Sequence, residues 1–107
     1  AAVHYYAEEQ THDPQALSLE DTIEIARGSN IPVMVDAAGQ IYPLDNLGKY
    51  VRMGADFQCI ATKYMGASQS TGLALGTKDM KKLTELWEKH LVVLHWLRTR
   101  ILLDLSK

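Results

Sequence analysis

Asp36 and Lys63 carry opposite charges, each closes an apolar run, and each is followed by small residues. Asp36 ends the run Ile31 to Val35 and is followed by Ala37-Ala38-Gly39. Lys63 ends Asp56 to Thr62 and leads to the turn Gly66-Ala67-Ser68-Gln69-Ser70-Thr71-Gly72. A lysine amine can attack a carbonyl, and a carboxylate can hold a proton on a basic ring nitrogen. Each residue alone has an ordinary explanation. Asp after a strand often caps the next turn, and a lone lysine is usually solvated. The chemical interest lies in the pair, so the elements that would bring the two together matter most.

Ala1 to Ala7 is apolar and aromatic and reads as a short buried strand, broken at His12-Asp13-Pro14-Gln15. Ser18 is placed as an N-cap with Glu20 and Asp21 in the first turn of a helix, and Gly28 is expected as its left-handed stop. Ile31 to Val35 is β-branched and apolar, the composition of a buried parallel strand ending at Asp36. A second helix is expected from Leu44 to Met53, closed by Gly54. A third strand then runs from Asp56 to Thr62 and a fourth from Leu73 to Leu75. The alternation predicts an α/β fold with an open, mostly parallel sheet and right-handed crossovers. Lys78 to Lys107 contains neither Gly nor Pro and repeats Leu, Ile and Trp at helical spacing, which predicts a long amphipathic C-terminal helix or two.

Ligands of open α/β sheets gather at the carboxyl ends of the strands. Asp36, Lys63 and the Ser/Gln/Thr turn would all lie there. Pyridoxal 5'-phosphate (PLP) needs such a set: an amine for a Schiff base and an acid that keeps the pyridine nitrogen protonated, so the ring acts as an electron sink. A lysine at the end of a buried strand would also be partly desolvated, which favours its neutral, nucleophilic form. Ala37, Ala38 and Gly39 leave room for a flat ring.

The segments Val33-Met34-Val35-Asp36-Ala37-Ala38-Gly39-Gln40, Asn46-Leu47, Met53-Gly54-Ala55-Asp56, Thr62-Lys63 and Gly66 to Gly72, in this order and spacing, resemble one family. It is the selenocysteine-synthase-like group of fold type I PLP enzymes, which includes seryl-tRNA selenium transferase and glucosaminate-phosphate ammonia-lyase within the aspartate-aminotransferase superfamily. The resemblance covers about residues 1–80. It implies a partial PLP-binding large domain over 1–80 and leaves 81–107 as a helical tail with no counterpart. It further implies that Lys63 is the catalytic, Schiff-base lysine and that Lys63, Asp36, Ala38 and Thr62 bind the cofactor. Relatives often carry a Ser-Gly-Gly-like run before the lysine, whereas this chain has Ile60-Ala61-Thr62, so only Thr62 supplies a hydroxyl there. The implied activity is that of a PLP-dependent lyase or transferase acting on an amino acid or amino sugar, with Lys63 also moving the alpha proton. Relatives are longer and form their sites between subunits, so a homo-oligomer is implied for the full-length family, and 107 residues alone are expected to turn over negligibly. The chain opens with Ala1 directly into a strand, and upstream and downstream segments are expected. The alternative is a non-catalytic truncated α/β module that self-associates through its C-terminal helix.

The remaining features exclude more than they add. A net charge of −2 gives no basic excess for nucleic acid or an anionic membrane. The single Cys59 lies between apolar neighbours and excludes an internal disulfide or cysteine-rich zinc site. No signal peptide or membrane-spanning run is visible, so a cytoplasmic protein is expected. His90 and His95 are off the four-residue step that would put two metal ligands on one helical face. Trp87 and Trp96 read as helix packing. His4 is read as a core or edge histidine that reaches toward the cofactor only in the less favoured reading. Among the tyrosines, Tyr64, beside Lys63, is the best placed to touch a ligand.

Overall fold

The computed structural model describes residues 1–10, 12–67, 71–77 and 99–104. Its centre is a five-stranded sheet in the order β1-β2-β3-β4-β5: β1 Val3–Tyr6, β2 Val33–Asp36, β3 Phe57–Ala61, β4 Thr71–Gly76 and β5 Thr99–Asp104. β1 pairs with β2, β2 with β3 and β4 with β5 in parallel, while β3 and β4 are antiparallel. The expected open, mostly parallel sheet is therefore present. Among the described residues three α-helices accompany it: α1 Ala7–Gln10, α2 Leu19–Gly28 and α3 Lys49–Arg52. None of the described helices is long and apolar enough to cross a membrane.

Side-chain alternation divides the sheet into two faces. On one, Tyr5, Val33, Val35 and Ala37 pack with Leu19, Ile23 and Ala26 of α2 and with Tyr50 of α3. Ile60 and Leu75 extend that face with Ile41 and Val51. His4, Met34, Asp36, Phe57 and Cys59 belong to the opposite face, where Met34, Phe57 and Cys59 are also buried. α2 begins as the sequence predicts. The Ser18 hydroxyl accepts the Asp21 N–H at 3.0 Å and donates to the Asp21 carboxylate at 2.8 Å, so cap and third residue satisfy each other.

Several expectations need correction. Gly28 is the last residue of α2 but not its left-handed stop. That conformation falls on Asn30, at φ 53, a residue type whose short polar side chain tolerates it. The helix expected from Leu44 to Met53 is split into a 3-10 turn, Leu44–Asn46, and the single turn of α3, because Gly48 between them adopts φ 75. Gly54, at φ 117, does close α3. The third strand stops at Ala61, and Thr62–Met65 coil into a second 3-10 turn. Of the expected C-terminal helix, 78–98 and 105–107 lie outside the described residues, while 99–104 form strand β5 instead. Helical spacing of leucines did not decide that segment. Thr99 and Ile101 suit a strand, and the run pairs with β4 in a parallel ladder along its whole length.

The buried Gln58 holds the loop architecture together. Its Oε1 accepts the Tyr50 N–H at 3.1 Å, and its Nε2 donates to the Asn46 carbonyl at 2.9 Å, tying both helical turns to β3. Gln58→Leu leaves these two backbone groups without their partner, and an unsatisfied buried group costs ~1–3 kcal/mol. We expect urea unfolding of the variant to show a destabilisation of about 2 kcal/mol. Unchanged stability would mean that other groups serve the Tyr50 amide and the Asn46 carbonyl.

Candidate active site

Asp36 is the last residue of β2, and its register partner on β3 is Cys59. The ladder continues past both strand ends: Ala37 N–H donates to the Cys59 carbonyl at 3.0 Å, and Ala61 N–H donates to the Ala38 carbonyl at 3.1 Å. This lashes the segment after Asp36 to the segment that becomes Thr62 and Lys63. The sheet thus brings Asp36, Ala38, Thr62 and Lys63 to one rim, the carboxyl ends of two adjacent parallel strands, where α/β sheets bind ligands.

The four differ in surroundings. Asp36 is 6% exposed. Its Oδ1 accepts the Ala38 N–H at 3.1 Å, the turn-capping bond that an Asp in this position ordinarily makes. Its Oδ2 lies 3.9 Å from Nε2 of His4, too far for a hydrogen bond. Among the described residues, the Ala38 amide is the only N–H group within hydrogen-bonding distance of the carboxylate. An ionised carboxylate offers about four acceptor positions. Burial on these terms leaves Asp36 able to take a further donor, and a cationic one best of all.

Ala38 is half-buried beside it, but the other small residues do not open a slot for a ring. Ala37 points into the helix-side core, and a Cβ on Gly39 would stand 3.0 Å from Oε2 of Glu8, which already occupies that space. Thr62 is half-buried, and its hydroxyl donates to that of Thr71 at 2.6 Å, joining the two ends of the 62–71 connection. Gly66, at φ 86, ends the 3-10 turn with its N–H on the Lys63 carbonyl. Positions 68–70 of the Ser/Gln/Thr turn lie outside the described residues.

Lys63 differs most from expectation. It is not desolvated at a strand end. It is exposed on the 3-10 turn, with its ammonium 5.1 Å from the centre of the Tyr64 ring. No ion pair links it to Asp36 among the described residues. Two clefts, of about 360 and 420 Å3, flank the helix side of the sheet. Neither is lined by Asp36, Thr62 or Lys63.

No family model matches the chain, and no curated protein does. Among solved structures, that of D-glucosaminate-6-phosphate ammonia-lyase is similar, with 29% identity and a TM-score of 0.52. The match covers 64% of this chain and 18% of that one, so the chain spans less than a fifth of the enzyme's length.

Two neighbours of Asp36 were not joined to it by sequence reasoning. His4 reaches it diagonally across the β1–β2 ladder, in which Tyr6 rather than His4 is the register partner of Asp36. Cys59 is the buried core thiol expected, yet it stands beside the carboxylate. Parity along two parallel strands would have found both, given the register. Burial, and then the nearby Asp36 charge, push the Cys59 thiol well above its ordinary range. The folded state therefore keeps this proton while the unfolded chain releases it, so stability falls as pH rises past the unfolded thiol's value of about 8.5. Between about pH 8.5 and 10, stability should drop by as much as ~1.4 kcal/mol per pH unit. Cys59→Ala should flatten that slope in urea titrations, and Cys59 should resist thiol reagents until the chain unfolds. Rapid labelling of the native protein would refute the burial.

Proposed function

We propose that this chain is the cofactor-binding piece of a PLP-dependent lyase or transferase acting on an amino acid or amino sugar. The observation that carries the reading is Asp36: a buried carboxylate with one N–H donor, on the rim of the sheet where the strand leading to Lys63 also ends. Support from outside the chain comes from the likeness to D-glucosaminate-6-phosphate ammonia-lyase, an enzyme named for removing ammonia from an amino sugar acid. When bound, PLP would supply an electron sink for breaking bonds at the substrate's amine-bearing carbon.

Each residue has a part suited to its surroundings. Asp36 would hold the ring nitrogen's proton, its own orientation fixed by the Ala38 amide. Ala38 would border the ring edge, half-buried and without bulk. Thr62 would offer its hydroxyl proton to a phosphate oxygen, turning it away from Thr71, to which it now donates. Lys63, exposed and resting on Tyr64, would be the point of covalent attachment and would afterwards carry the proton at its amine. Because the chain spans 18% of the similar enzyme, catalysis would require the rest of such an architecture, and the homo-oligomer implied by the family resemblance belongs to that larger protein.

The test is capture of the cofactor. After incubation with PLP and reduction with borohydride, peptide mapping should find the label concentrated on Lys63, and Lys63→Ala should remove it. Asp36→Asn should weaken binding about 10- to 100-fold, the size of one hydrogen bond between charged groups. Label spread evenly over the other lysines, unaffected by Lys63→Ala, would overturn the assignment.

A further inference from the structure

We infer that His4 is a positioning residue for Asp36, donating its Nε2–H to Oδ2 and completing the acid's support when the site is occupied. This rests on the reading of Asp36 as the ring-nitrogen partner. Oδ1 is pinned by the Ala38 amide at 3.1 Å, the Cys59 thiol stands beside the carboxylate as a weak donor, and Oδ2 faces His4. His4 faces it from the neighbouring strand, with Nε2 3.9 Å from Oδ2. A closure on the order of 1 Å brings the two within hydrogen-bonding distance.

The setting permits that movement. His4 comes from β1, its side chain is 42% exposed, and among the described strands β1 pairs only with β2. The imidazole can shift without disturbing the helix-side core, because Tyr5, on the opposite face, is the β1 residue packed there. Approach to Oδ2 also leaves room for a second donor. Of about four acceptor positions on the carboxylate, the Ala38 amide fills one, His4 would fill a second, and the Cys59 thiol takes at most a third. A ring N–H would then meet a carboxylate fixed at both oxygens, already turned toward it. Pre-orientation of this kind strengthens binding by removing motion that would otherwise be lost on association.

Two measurements separate this role from a structural one and from failure of the PLP reading. In the free chain, 15N NMR of the His4 ring should show the Nε2–H tautomer, and its ring shifts should move in Asp36→Asn. A ring indifferent to Asp36→Asn overturns the contact whether or not PLP binds. In cofactor capture, His4→Leu should weaken PLP binding roughly tenfold, the effect of one hydrogen bond to a charged group. His4→Gln, whose amide places a donor near the Nε2 position, should restore most of it and the visible absorption of the bound cofactor. Unfolding midpoints near wild type in both variants keep the comparison about the site. Equal binding by His4→Leu, or no rescue by His4→Gln, would sink the proposal. A wild-type chain that ignores PLP while its His4 ring still responds to Asp36→Asn removes the cofactor reading and leaves the His4–Asp36 contact standing.

Discussion

The parallel register between β2 and β3 is the constraint on which the site depends. It sets Asp36 level with Cys59, so the carboxylate ends its strand inside the sheet's buried surface rather than in solvent. A carboxylate in that position is costly unless donors or a cation meet it. A shift of one residue would turn Asp36 toward the helix-side core and replace it with Val35 or Ala37 on the site face. Apolar packing of α2 against Tyr5, Val33 and Val35 resists that slip, since every one of those side chains would have to leave the core. Hydrophobic burial on one face thereby determines where the charge sits on the other.

The two principal residues share a rim but not an environment. Asp36 is fixed by the ladder, by the Ala38 amide and by the strand ends around it. Lys63 belongs to a 3-10 turn outside the ladder, exposed and stacked on Tyr64. This division is the one the proposed cofactor role would need, with an acid that stays oriented and an amine free to reach a partner. The sheet determines the direction of the acid. For the lysine it determines the base from which a long side chain extends.

Much of the fold was legible because the signals were local. The apolar β-branched run before Asp36 became β2, and the Ser18–Asp21 pair became a reciprocal cap. What escaped was decided by partners distant in sequence. The Leu-rich pattern around Ile101 is compatible with a helix until β4 offers a ladder, and 99–104 take the strand. Gly28 carried a stop signal, but the left-handed turn fell two residues later, on Asn30. For the site, residue types named Asp36 and Lys63, whereas their burial could not be read from spacing. Strand length placed Lys63 at the end of a buried element, yet β3 ended two residues earlier and left it in solvent. His4 was invisible as a neighbour of Asp36 because diagonal contacts need a register, and registers belong to pairs of strands.

The antiparallel step from β3 to β4 bears on how such a protein can change. Ala61 sits opposite Gly72, and the Thr62–Thr71 hydroxyl bond closes the mouth of the connection between them. Additional residues placed between Gly66 and Thr71 would enlarge this hairpin without moving its clamped base, and the entropic cost of a longer loop rises only slowly. The chain between the two threonines could therefore vary in length while the anchorage of Lys63 stays where the sheet put it.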